Sequence, residues 1–189
     1  MKHMFQNNLE FEIVSVLIKK SVHLRELVNL VQSNPATIHR KITILLENNV
    51  VDYIKEGKNT KYILKNTLES HNYKIMSEAY LLNKFIHNHK NMKKIILKLK
   101  EKCNSNLIIL FGSYAKGLQT KESDIDIYIE TQDKKLKQEI EKINSSLSVK
   151  IGKFDKKSNL GKEIISNHII IQNIERFYTL IENEENQIY

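Results

Sequence analysis

Two carboxylates separated by one residue, Asp124 and Asp126, follow twelve positions after a Gly112-Ser113 pair, and apolar runs flank both. In an extended segment alternate side chains share a face. Asp124 and Asp126 therefore project one way, and the isoleucines of Asp124-Ile-Asp126-Ile-Tyr128-Ile129 project the other. Like charges on one face repel unless a divalent cation lies between them. Mg²⁺ or Mn²⁺, held through carboxylates, waters and phosphates, suits such a pair. Upstream, Leu107-Ile-Ile-Leu-Phe111 reads as a buried strand that stops at Gly112, where the missing Cβ permits a tight turn and close approach to a ligand. Ser113 to Lys116 favours a short helix, so backbone N–H groups and the Ser113 hydroxyl face whatever lies beyond the strand end, a geometry suited to phosphate oxygens. Singly, a Gly-Ser pair is an ordinary turn and Asp-x-Asp an ordinary solvated strand face. Jointly, at this spacing and between two strands, they specify a site for a metal ion and a phosphate.

The elements that must position these groups continue downstream. Residues 133–145 carry Leu136, Ile140 and Ile143 at helical spacing, and Leu147-Ser-Val-Lys-Ile-Gly-Lys-Phe154 reads as the next strand. His168 to Ile171 is a further short strand, and Ile174, Phe177, Leu180 and Ile181 form the apolar face of a closing helix.

Gly112-Ser-Tyr-Ala-Lys-Gly117 followed by Ser123-Asp-Ile-Asp126 resembles the signature of the DNA polymerase β-type nucleotidyltransferase superfamily. Within it the likeness is to the minimal nucleotidyltransferases of prokaryotes, which include antitoxin partners of HEPN-type toxins. The resemblance covers about residues 91–183. It implies that Gly112 and Ser113, with Lys116 and Ser123, hold the phosphates of a nucleoside triphosphate, ATP being the expected one. It also implies that Asp124 and Asp126 bind the metal and carry catalysis. The implied logic is two-metal: one ion clamps the triphosphate while another activates an acceptor hydroxyl for in-line attack on the α-phosphate.

One position departs from the family. A third carboxylate is expected on the next strand, where the inward position reads as Lys150, with Ser148 and Gly152 on the same face. No carboxylate follows until Asp155, just beyond the strand, so either Asp155 serves as the third catalytic carboxylate or that group is missing.

The front of the chain is a different object. Leu9 to Lys19 and Leu24 to Val31 read as helices, and Pro35 suits the first turn of a third, capped by Asn34 or Ser33. In that third helix Ile38, Ile42, Leu45 and Leu46 face a core, leaving Thr37, His39, Arg40 and Lys41 outside. Val50 to Lys55 and Thr60 to Leu64 are strand-like, joined by Glu56-Gly-Lys-Asn59. Three helices and a basic-tipped hairpin resemble a winged helix-turn-helix domain of prokaryotic regulators. The resemblance implies a double-stranded DNA partner, with Thr37, His39, Arg40 and Lys41 at the major groove and Lys58, Asn59 and Lys61 on the backbone. The bland alternative is a solvated basic face used for protein contacts.

Leu68 to Lys102 is helical in pattern, with two helices meeting near Asn88-His89. The first serves as connector or dimerisation helix in many winged-helix regulators, which makes a homodimer an expected state. The His87-Asn-His89 tract lacks partner ligands at metal spacing and reads as a surface turn. The expected fold class is α+β: a winged helix-turn-helix domain over 1–66, a helical connector over 67–90, and a mixed-sheet α/β nucleotidyltransferase domain over 91–189.

Charge follows the same division. The net is +4 over residues 1–66, +5 over 67–106 and −1 over 107–189, which places the excess on the DNA-facing half and the connector. With no apolar run long enough for a membrane, no signal segment and the lone Cys103, no membrane partner is expected, and a reducing cytoplasm is the expected location. Two functions fit: a nucleotidyltransferase moving AMP onto a hydroxyl, as antitoxin of a toxin–antitoxin pair; or a regulator whose nucleotidyltransferase fold senses a nucleotide or binds a partner without turnover.

Overall fold

The computed structural model describes residues 8–57 and 59–182. Two compact units divide the chain, Met1–Tyr80 and Leu81–Tyr189.

In the first unit, helix α1 (Leu9–Lys19) begins where the Asn8 side chain accepts the N–H of Glu10. A two-residue strand, β1 (Val22–His23), precedes α2 (Leu24–Val31). Gln32, in the left-handed region at φ 53°, ends α2 and turns the chain toward α3 (Pro35–Glu47). Asn34 caps α3 by accepting the Thr37 N–H at 2.8 Å, and Pro35 fills the first turn where no N–H is needed. Ile13, Val14, Leu27, Ile38, Ile42 and Leu45 close one dry core, in which truncating a single leucine to alanine costs about 2–5 kcal/mol. Strands β2 (Val51–Glu56) and β3 (Asn59–Leu64) form the hairpin, and β1 adds to its far side in the antiparallel order β1-β3-β2. Strand β1 has no counterpart in the sequence reading, since two residues show no alternation. It forms because Val22 is buried and pairs with Tyr62. The result is a winged helix-turn-helix fold.

Helix α4 (Leu68–Asn88) carries the chain from the first unit into the second. Its early turns belong to the first: the Tyr80 hydroxyl donates to Glu12 at 2.8 Å, and Tyr73 meets Phe11 edge-on. Burial, with the Glu12 hydrogen bond second, pushes Tyr80 up to about 12. Its last turns supply Leu82, Phe85 and Ile86 to the core of the second.

The second unit continues with α5 (Met92–Cys103), β4 (Ile108–Leu110), α6 (Gly112–Lys116), β5 (Ile125–Glu130), α7 (Lys134–Glu141), β6 (Leu147–Gly152), α8 (Asn159–Ser166), β7 (Ile169–Gln172) and α9 (Ile174–Glu182). The sheet order is β6-β5-β4-β7. Strand β4 pairs antiparallel with β5 and β7, whereas β5 and β6 run parallel because α7 provides the crossover. This is a mixed sheet with helices on both faces. Ile125, Ile127 and Ile129 of β5 pack with α5 and the buried Ile140 of α7, while Tyr128 packs with Phe154, Ile164 and Phe177 on the other side. No helix among the described residues is long and apolar enough to cross a membrane.

Candidate active site

The alternation of β5 puts Asp126 on the face it shares with Tyr128. At the end of β4 the chain enters α6 through Gly112, which sits at φ 68°. A Cβ built there would collide with the Asp126 carboxylate, whose Cγ would be 3.0 Å away. The adjoining backbone is pinned to the same strand, as the Phe111 N–H donates to the Asp126 carbonyl at 3.0 Å. Gly112 therefore serves both a backbone conformation and a close approach, and any side chain defeats the second. The α6 turn closes when the Leu118 N–H donates to the Ser113 carbonyl at 3.0 Å and Gly117 takes the left-handed region.

Asp124 is exposed and Asp126 half-buried. Burial raises the Asp126 pKa first; the charges of Asp124 and Glu163 raise it further, while a hydrogen bond from the Ser148 hydroxyl and the charge of Lys150 oppose the rise. A carboxylate disfavoured in its ionised form, beside a second carboxylate at strand spacing, is a donor set that suits a divalent cation. No group of three or more His, Cys, Asp or Glu among the described residues is placed to hold a metal.

The strand register revises the inward position on β6. Asp126 pairs with Ser148, and Lys150 stands one rung further on, opposite Tyr128. The hydroxyl of Ser148, not the ammonium of Lys150, occupies the place beside Asp126. Asp155 lies exposed in the turn after β6, where its Oδ1 accepts the Lys157 N–H at 2.9 Å and its carbonyl accepts from Ser158. Asp155 is not among the charges that act on Asp126.

One further group, Glu163, reaches the site from distant sequence. Lys116 Nζ pairs with Glu163 of α8 at 2.7 Å, 47 residues away, joining α6 to α8. Glu163 was not anticipated, because a lone glutamate in an amphipathic helix carries no local signal. Ser123 is committed to its own turn, its Oγ accepting the Thr120 N–H at 2.8 Å. His89 is a support for this loop: it stacks on Phe85 with ring centroids 4.4 Å apart and meets the Gln119 amide at 2.8 Å.

On the winged helix, His39 and Arg40 are exposed on α3 and Thr37 half-exposed in its first turn. Lys41 is turned back to Glu10 of α1 at 2.9 Å, and Lys61 to Glu56 at 3.6 Å. Asn59 is exposed at the start of β3, and Lys58 lies outside the described residues.

Comparison with known proteins places this geometry. The family model described as a nucleotidyltransferase domain matches residues 92–185. A putative protein adenylyltransferase of Methanocaldococcus jannaschii, MJ1379, is 54% identical over 43 residues; the match covers 21% of this chain and 43% of that protein, so the chain spans less than half of its relative's length. Among solved structures, reduced HlyU from Vibrio cholerae N16961 is 18% identical, over 39% of this chain and 78% of that one, with a TM-score of 0.35. A toxin–antitoxin complex crystallised with AMP-PNP is 23% identical, over 52% and 94%, with a TM-score of 0.33. From the family match together with the Gly112–Asp126 geometry, the C-terminal half of the chain belongs to the nucleotidyltransferase domain family.

Proposed function

We propose that the protein is a DNA-docking nucleotidyltransferase that binds Mg–ATP at Gly112, Ser113, Asp124 and Asp126 and transfers AMP to a hydroxyl acceptor, with a HEPN-type toxin as the protein partner of a toxin–antitoxin pair. The observation that supports this reading is the seat of Asp126 against Gly112, which brings the turn after β4 and a half-buried carboxylate of β5 to one point. The M. jannaschii relative, named a putative protein adenylyltransferase, supports AMP and a protein acceptor.

In this reading Gly112 and Ser113 receive the triphosphate, and Asp124 and Asp126 hold the cation. Mg²⁺ supplies charge neutralisation for the triphosphate and for departing pyrophosphate. The acceptor oxygen bonds to the α-phosphorus as the bond to the pyrophosphate oxygen breaks. Glu163, whose charge acts on Asp126, takes the acceptor's proton, while Lys116 exchanges its ion pair with Glu163 for a phosphate oxygen. The winged helix docks double-stranded DNA through His39 and Arg40 of α3, with Thr37, Lys41, Asn59 and Lys61 in support.

A second reading is favoured by one specific observation. Ser148 occupies the rung where a third carboxylate is expected, which suits a regulator that binds nucleotide without turnover. Incubation of the full chain with labelled ATP, Mg²⁺ and candidate acceptors separates the two. Label transfer that disappears in Asp124→Asn and Asp126→Asn establishes the enzyme. Tight ATP binding with no transfer to any acceptor rejects it for the sensor.

A further inference from the structure

Strand β5 has a second side. Ile125 faces away from the Asp126 carboxylate, and on that side it lines a cavity of about 400 Å³. Lys94 and Lys98, one turn apart on α5, enter the cavity from one wall, and Lys121 of the loop before β5 from another. Tyr114 of α6 and Ser123 also line it, and no Asp or Glu does. Among the described residues none of these three ammonium groups has an ion pair or hydrogen bond. Three uncompensated ammonium groups in one concavity repel one another, and two of them stand at an i,i+4 spacing that is itself unfavourable for like charges. Four other cations of the same unit are matched, Lys102 with Glu139, Lys116 with Glu163, Lys137 with Glu141 and Arg176 with Glu130, whereas the cavity gathers three unmatched ones in one concavity. The volume falls in the range of small-ligand sites. Lysines, as point charges on flexible stems, suit several phosphate oxygens at once without demanding one planar geometry.

We propose that this cavity is a second anion site, on the reverse of the catalytic strand, which binds a small polyphosphorylated molecule separately from the nucleotide at Gly112 and Asp126. Tyr114 and Ser123 bracket the loop that runs from the Gly112-Ser113 turn to Asp124. A bound polyphosphate therefore touches both ends of the segment that carries the catalytic groups. The proposal does not depend on turnover at the front site.

The test is calorimetric titration of the full chain with inorganic tripolyphosphate in EDTA, which withholds metal from the aspartates. One site per chain is expected. Its affinity falls by about tenfold or more in the Lys94→Ala/Lys98→Ala double variant, and it is unchanged in Asp126→Asn. Both lysines are exposed and alanine favours helix, so the double variant keeps its circular dichroism and melting temperature. Unaltered affinity in the double variant overturns the proposal. So does loss of binding in Asp126→Asn, which would place the ligand at the front site. Equal affinity for inorganic orthophosphate would reduce the cavity to a non-specific cation cluster. Displacement of tripolyphosphate by an oligonucleotide at lower concentration would assign the surface to a nucleic-acid backbone instead.

Discussion

Gly112 and Asp126 occupy space that only a hydrogen at position 112 leaves open: the turn proposed to receive phosphate and the carboxylate proposed to hold a cation are fitted to each other. Gly112→Ala adds left-handed strain to this collision, a combined cost of about 2 kcal/mol or more. The variant is expected to melt earlier and to lose nucleotide binding, as read by thermal shift with Mg–ATP. A variant that still gains the wild-type thermal shift would separate the turn from nucleotide binding.

Asp126 gives a stability prediction with a definite sign. Its pKa is raised in the fold, chiefly by burial, so between the unfolded and folded values the native state binds more protons than the unfolded chain. The stability this confers is complete below the unfolded value and is lost as pH rises through the folded one. Near neutral pH the ionised group is a burden, and Asp126→Asn is expected to raise the melting temperature by about 1–3 °C in metal-free buffer. The same substitution abolishes the stabilisation by Mg–ATP. A lower melting temperature in EDTA would contradict the assignment.

Ser148→Asp installs a carboxylate on the rung beside Asp126. In metal-free buffer the added like charge destabilises the fold. With Mg²⁺ or Mn²⁺ present the variant is expected to transfer nucleotide roughly tenfold or more faster. Unchanged turnover and unchanged metal dependence would show that this rung does not take part.

Arg40 and Lys41 are adjacent in sequence and differ in what holds them. Arg40→Ala is expected to weaken DNA binding and to lower the salt slope by about 1, the mark of a lost phosphate contact. Lys41→Ala removes the Glu10 pair and costs up to about 1 kcal/mol of stability, with a smaller effect on DNA. Gel shifts across a salt series, run beside melting curves, check both outcomes. An equal loss of DNA affinity in the two variants would contradict the distinction.

Cys103 is buried in the core of the second unit, where burial pushes its thiol up to about 11. It is expected to resist iodoacetamide at neutral pH until the protein unfolds. Rapid alkylation of the native protein, followed by mass spectrometry, would refute this.

Much of this architecture was legible from residue spacing, because the relevant signals are local. The alternation in Asp124-Ile-Asp126-Ile-Tyr128 predicts which side chains share a face, and the Asn34-Pro35 pair predicts where α3 begins. Relationships across the sheet were not legible. Ser148 and Lys150 share a face, and only the pairing register decides which stands beside Asp126. The Lys116–Glu163 and Lys41–Glu10 pairs depend on how helices pack. Strand β1 depends on a partner forty residues away, since Val22 pairs with Tyr62.

The hydroxyl at position 148 has a genetic corollary. No serine codon lies a single base change from an aspartate codon, so a gene with serine here cannot acquire a carboxylate beside Asp126 in one substitution. The path runs through an intermediate such as asparagine, glycine, alanine or tyrosine, each of which must first do without the hydroxyl that now supports Asp126. A chain in this state is separated from the three-carboxylate arrangement by a valley rather than a step, and a suppressor screen for faster transfer would need two-base changes to reach it.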